Sequence, residues 1–172
     1  MRAAWVAALS ALLSGCQMVG TETQYGVATN DMTFGELNVV LDDGGDSALQ
    51  GVPFLVVGQG TLPPQYGDDV SYQRVSLGEK VRLPIRLAKG KVVLYIEAGG
   101  MVSYYESEAI GTPFEPEVVG GGGAQLNLGK SWSIDFGARA RQPVGNGYRH
   151  DEPEHAPDGT QTEFFFGVRK DF

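Results

Sequence analysis

The stretch Trp132-Ser133-Ile134-Asp135-Phe136-Gly137-Ala138-Arg139-Ala140-Arg141 is apolar at every even position and polar, charged or glycine at every odd one. A period of two with one wet face is the signature of a β-strand. Residues 71–83 repeat it, with Val75, Leu77, Val81 and Leu83 on one face and Arg74, Ser76, Lys80 and Arg82 on the other. The C-terminal segment alternates again: Phe164, Phe166, Val168 and Phe172 oppose Gly167, Arg169 and Asp171. Further strands are expected at 33–41, 51–61, 91–105 and 117–128, and a weaker one at 24–29, turned by Asn30-Asp31. Asp42-Asp43-Gly44-Gly45-Asp46 and Ala88-Lys89-Gly90-Lys91 have turn chemistry. No amphipathic helix, heptad pattern or internal repeat is visible. The expected fold is all-β, an antiparallel up-and-down β-barrel of about eight strands.

The connections are uneven. Gly129-Lys130-Ser131 is tight, whereas 142–162 is a long stretch of Gly, Pro and charge. Short turns on one rim and long loops on the other characterise transmembrane barrels. The chain ends on Phe172 after an aromatic-rich strand, which resembles the C-terminal signal read by the outer-membrane barrel-assembly machinery. Alternation alone admits two barrels. A membrane barrel turns its apolar face to lipid and would enclose Glu97, Asp135, Arg139, Arg141, Arg169 and Asp171. A soluble lipocalin-like barrel reverses the faces around an apolar ligand. Phe172, the 25 glycines and the uneven loops favour the membrane barrel.

The N-terminus changes the picture further. Arg2 precedes an apolar stretch, 3–13, too short to span a bilayer, and small residues then lead into a cysteine. Leu13-Ser14-Gly15-Cys16 resembles the lipobox of bacterial lipoproteins. The resemblance implies a lipoprotein signal peptide at 1–15, acylation of Cys16 with palmitate-class chains, a lipidated tether at 16–23 and a β-barrel domain at 24–172. Cys16 is the only cysteine, and a free thiol would be unusual in an exported protein. Gln17 rather than Asp after it implies sorting to the outer membrane by the lipoprotein-sorting machinery. With 172 residues, a formal net charge of −8 and no basic cluster, the chain suits one domain and excludes nucleic acid as a partner.

A second resemblance covers 95–172. Tyr95-Ile96-Glu97-Ala98-Gly99-Gly100-Met101-Val102-Ser103-Tyr104-Tyr105, the glycine run from 120 to 123, the 132–141 strand, a Pro/Gly loop and a final aromatic strand carry it. Together they resemble the lipid A 3-O-deacylases (acyloxyacyl hydrolase family), eight-stranded outer-membrane barrels. That family's signature is a His-x-Ser-Asn run with a downstream carboxylate, a serine–histidine esterase arrangement. Here the corresponding stretch is Arg141-Gln142-Pro143-Val144-Gly145-Asn146-Gly147, in which only Asn146 matches, and Pro143 is expected to break the ladder. Nucleophile and base are both missing, so the enzyme question leans to no. Rescue by His150 or His155 would need a serine from elsewhere, such as Ser103 or Ser107.

Other chemistry is weaker. Arg149-His150-Asp151-Glu152-Pro153-Glu154-His155 gathers ligands that suit zinc or copper, but it is also what a solvated loop looks like. The acidic turn 42–46 lacks the remaining ligands of an EF-hand. Glu115-Pro116-Glu117 and Asp68-Asp69 are expected as loop charges, and Trp132, Tyr104, Tyr105 and Phe172 as interfacial aromatics. No cofactor is expected. The function expected is that of a lipid-anchored outer-membrane β-barrel with a structural or surface-interaction role, in contact with outer-membrane lipids and lipopolysaccharide. The alternatives are a deacylase-like ester hydrolase and a lipocalin-like periplasmic carrier.

Overall fold

The computed structural model describes residues 17–29, 32–42, 49–61, 71–106, 114–129, 131–144 and 160–172. They form a closed barrel in which each strand pairs with its sequence neighbours and β1 closes on β8, every pair antiparallel. The strands are β1 Gln17–Ala28, β2 Thr33–Asp42, β3 Gln50–Thr61, β4 Ser71–Leu87, β5 Val92–Glu106, β6 Phe114–Asn127, β7 Trp132–Pro143 and β8 Gln161–Asp171. Seven follow the hydrophobic alternation within a few residues at either end. The eighth, β1, does not.

Residues 17–23, expected as a tether, instead lie in the wall. β1 begins at Gln17 and pairs with β2 through Val27↔Thr33 and with β8 from Gly20↔Asp171 to Ala28↔Glu163. Its outward face carries Thr21 and Thr23 and its inward face Glu22 and Gln24. Both faces are therefore polar, and no apolar alternation announces a strand. Threonine is nonetheless a good strand former, and the edges of β2 and β8 leave a gap that only another strand satisfies.

Closure puts both described ends on one rim, where the Phe172 N–H donates to the Val19 carbonyl at 3.0 Å. The connections after β2, β4 and β6 share that rim, and those after β1, β3, β5 and β7 share the other. The longest connections, 62–70 and 144–160, gather on one rim as the sequence suggests, with two exceptions to the asymmetry: 43–49 on the other rim is as long as 107–113, and the β1–β2 turn is tight, with Ala28 N–H donating to Met32 O at 2.7 Å.

Prolines sit inside the wall. Pro143 pairs with Glu117 and the following Val144 N–H reaches Pro116 O at 2.8 Å, so the ladder runs to the end of β7 instead of breaking there. At Pro53 the β2–β3 pairing is interrupted between Asn38↔Phe54 and Leu41↔Gly51, as expected where one ladder N–H is missing.

Candidate functional site

The two faces of the wall differ in character. Outward are Leu55, Val57, Val75, Leu77, Val81, Ile85, Leu94, Ile96, Val102, Val118, Phe136, Phe164, Phe166 and Val168, all exposed. Inward and buried are Glu22, Glu36, Arg74, Lys80, Arg82, Glu97, Glu117, Asp135, Arg139, Arg141 and Glu163. This is the reverse of a lipocalin-like carrier, and the carrier reading is corrected on that ground. A ligand-binding interior would need the apolar face inside, and here that face is outside on all sides.

The lumen is occupied by one connected chain of alternating charge. Glu22 meets Arg82 at 2.8 Å, Arg82 meets Glu97 at 2.9 Å, and Glu97 meets Lys80 at 3.2 Å. Lys80 continues to Glu36 at 2.7 Å, Glu36 to Arg139 at 2.6 Å and Arg139 to Glu163 at 2.6 Å. Glu163 then faces Arg74 at 3.1 Å and Arg141 at 3.5 Å, and Arg141 ends the chain on Glu117 at 3.1 Å. Five cations thus face five carboxylates, which is how a buried network avoids an uncompensated charge. Several links join strands that are not neighbours, such as Glu36 on β2 to Arg139 on β7, so they cross the bore.

Aromatic side chains fill the space between these charges. Lys80 Nζ stands 4.7 Å from the Phe54 ring centroid and the Arg82 guanidinium 4.0 Å from that of Tyr95. Arg139 lies between Phe34 at 5.2 Å and Phe165 at 5.3 Å. Glycine makes the room for them: a methyl group on Gly137 would come within 2.6 Å of Phe165 Cζ. Asp135 is held outside the ion-pair chain, accepting from Tyr95 Oη at 2.8 Å and from Gln24 Nε2 at 2.9 Å.

The residues singled out in the sequence fall into three groups. Glu97, Asp135, Arg139, Arg141 and Arg169 point inward as expected, and Asp171 sits half-buried on the rim, where it pairs with Arg169 at 2.7 Å. Glu117 and Tyr105, expected in a loop and a girdle, are corrected: both are lumenal, Tyr105 Oη donating to Glu117 at 2.7 Å. β6 starts at Phe114, which carries Glu117 into the wall on the inward phase, while Tyr104 takes the outward phase of β5 and leaves Tyr105 the inward one. Cys16, Ser107, Asn146, His150, His155, Asp43, Asp46, Asp68 and Asp69 lie outside the described residues. Glu22, Glu36 and Glu163 complete the network but were not singled out by pattern. Glu36 alternates with Phe34 and Asn38 on a mixed face, and only the closed register assigns it inward.

Ser103 is enclosed. Its Oγ donates to Glu117 at 2.8 Å and lies 2.8 Å from Ser76 Oγ, with no solvent exposure. Outward aromatics occur in mid-wall, where Phe136 pairs with Phe166, and also towards both rims. Tyr104 and Phe114 pack at 5.1 Å near one rim, and Lys170 lies 5.7 Å from both Trp132 and Phe172 at the other.

No protein family and no curated protein matches the sequence. Solved structures do match in fold. Neisserial surface protein A (NspA) aligns with a TM-score of 0.66 at 12% identity, covering 92% of this chain and 98% of that one. The outer membrane enzyme PagL aligns with a TM-score of 0.57 at 12% identity, covering 87% and 97%. The N-terminal β-barrel domain of Pseudomonas aeruginosa OprF gives 0.57 at 13%, covering 91% and 99%. The chain shares the small closed-barrel fold of these proteins.

Proposed function

We propose that this chain is an outer-membrane β-barrel that serves a structural or surface-interaction role and carries a lipid on Cys16. The observation that carries the reading is the apolar outer wall around a lumen that encloses the paired charges. In water such a wall would be one continuous hydrophobic patch, whereas in a bilayer it is solvated by acyl chains and the backbone is satisfied by closure. The aromatics near both rims match the interfacial girdles of outer-membrane barrels. The likeness in fold to an outer membrane enzyme and a surface protein agrees with that location.

A lipid on Cys16 fits the geometry of β1. The residue directly precedes a strand that starts at the same rim as Phe172, so its acyl chains would enter the leaflet beside the wall with no intervening tether. Stable anchoring by acyl chains alone takes more than one chain, and here the barrel would supply the rest. Long connections on the opposite rim would face outward, toward lipopolysaccharide. Ester hydrolysis finds no support in the lumen: Ser103, hydrogen-bonded to Glu117 inside the wall, is not accessible to a lipid outside it.

The test uses the chain with Cys16→Ala and a cleavable signal peptide. Membranes washed in alkaline carbonate should retain it, and its gel mobility should change on boiling. Metabolically supplied palmitate should label the unaltered protein and not the variant. A variant that washes out as a soluble species would sink the membrane barrel; a labelled variant would sink only the lipidation.

A further inference from the structure

The described basic residues divide into two sets. The five lumenal cations and Arg169 are each held in an ion pair. Arg86, Lys89, Lys91 and Lys170 are exposed, and among the described residues none of them has an anionic partner. All four stand on the rim that holds Phe172: Arg86 at the end of β4, Lys89 and Lys91 in the turn to β5, and Lys170 at the end of β8. Asp171, next to Lys170 in the chain, is taken by Arg169 at 2.7 Å. Outside the lumen, the described charges of the opposite rim are Glu106 and Glu115, with no base among them.

The β4–β5 turn holds its lysines on a fixed backbone. Ala88, Lys89 and Gly90 take φ of 49°, 58° and 80°, a region that residues other than glycine rarely adopt. Asn127 of β6 ties this turn down, its N–H donating to the Lys91 carbonyl at 2.9 Å and its side-chain amide to the Gly90 carbonyl. What adjoins the four cations is apolar and exposed. Ile85 and Leu87 flank Arg86 on the outward phase of β4, and Lys170 Nζ lies 5.7 Å from the Trp132 and Phe172 rings. A lipid-facing band ends where acyl chains end, so bases at its margin stand level with the lipid phosphates. Unpaired cations at that level complement a phosphodiester. A headgroup with its own ammonium already neutralises its phosphate, whereas one without it leaves the negative charge for the rim. A soluble acidic partner would not need the apolar band directly beside the bases.

We propose that the arc of this rim from Arg86 through Lys89 and Lys91 to Lys170 binds the headgroups of anionic glycerophospholipids in the leaflet it meets. The proposal rests on the reading that the wall faces lipid with this rim inward. The test reads which lipid touches the rim by tryptophan quenching. Trp5→Phe leaves Trp132, beside Lys170, as the only tryptophan, and adding Trp132→Phe with Leu87→Trp moves the reporter to the β4 end of the arc. Each chain is reconstituted in phosphatidylcholine vesicles containing brominated phosphatidylglycerol or brominated phosphatidylcholine. Both reporters should favour phosphatidylglycerol about five-fold, the equivalent of roughly 1 kcal/mol for a surface cation, and high salt should erase the preference. Replacing Arg86, Lys89, Lys91 and Lys170 together with Gln should also erase it while mobility stays heat-modifiable, since all four side chains are exposed. Equal quenching by the two lipids in the chain with its bases intact would overturn the proposal and turn the rim toward an acidic protein. A preference that survives the fourfold Gln variant would overturn it as well. Absence of quenching by either lipid would instead overturn the lipid-facing wall on which the proposal depends.

Discussion

Arg139 is the junction of the lumen, with Glu36 and Glu163 each at 2.6 Å and the Phe34 and Phe165 rings on either side. Its loss would leave Glu36 to Lys80 alone and Glu163 to Arg74 and Arg141, one cation short in a buried network. Breaking a buried pair from one side costs about 3–5 kcal/mol, so Arg139→Met should lower the urea midpoint of the refolded barrel by that equivalent. Replacing Arg139 and Glu36 together with apolar residues of similar volume should cost far less, because Lys80 keeps Glu97 and Glu163 keeps Arg74 and Arg141, so no charge is stranded. A double variant as unstable as the single one would show that packing, not charge, sets the cost. Ser103 separates structure from chemistry at the same scale. Ser103→Ala leaves Glu117 short of one donor, a loss of about 1–3 kcal/mol for a buried unsatisfied group. It should not alter lipid A mass in overexpressing cells, whose profile should also match cells without the protein. A profile that shifts with the unaltered chain and reverts with Ser103→Ala would restore the hydrolase reading.

Elements differ in how plainly their residues declare them. β7 and β8 alternate large apolar and polar side chains, so their existence, phase and turns were legible from the chain alone. β4 was legible in its first part, and the irregularity there is Gly78 and Glu79, an inward space and an outward charge side by side. β1 was legible only in its second half, as the weak strand at 24–29; its first half was not, because Thr21 and Thr23 look outward while Glu22 and Gln24 look inward, and a two-sided polar stretch has no contrast to read. Glu117 was missed for a related reason: Pro116 and the neighbouring acid suggest a loop, and only pairing with Arg141 on β7 fixes it in the wall. Alternation has no sign, so which face of the barrel looks outward had to be read from Phe172, the glycines and the uneven loops, and the structure agrees with that reading. β1 as a strand makes a sharp prediction. Thr23 pairs with Leu37 and Val168 at once, so Thr23→Pro removes a ladder bond from the closing strand, a position that proline is not found to occupy away from sheet edges and bulges. The heat-modifiable band should be lost or strongly reduced. Were 17–23 a tether, the band would be unchanged.

For the molecule as a whole, the lumen bears on whether this barrel passes anything across the membrane. Eight-stranded barrels have bores just wide enough for side chains to fill, and about 16 strands are needed for an aqueous channel. This bore is crossed by Lys80–Glu36, Arg139–Glu36, Arg82–Glu22 and Arg74–Glu163, each joining strands that are not neighbours, with Phe34, Phe54, Phe165, Tyr72 and Tyr105 packed among them. An ion moving along the axis would have to separate paired charges that have no water to replace their partners. The reconstituted barrel should therefore show no unitary conductance in planar bilayers, and vesicles containing it should retain a small trapped dye. A single substitution such as Glu36→Ala should unfold the barrel more readily without giving discrete openings, because the remaining aromatics and charges still occupy the bore. Discrete steps from the unaltered protein would mean that the ion-pair chain opens as a unit. The network would then be a gate, and the structural role proposed here would give way to transport.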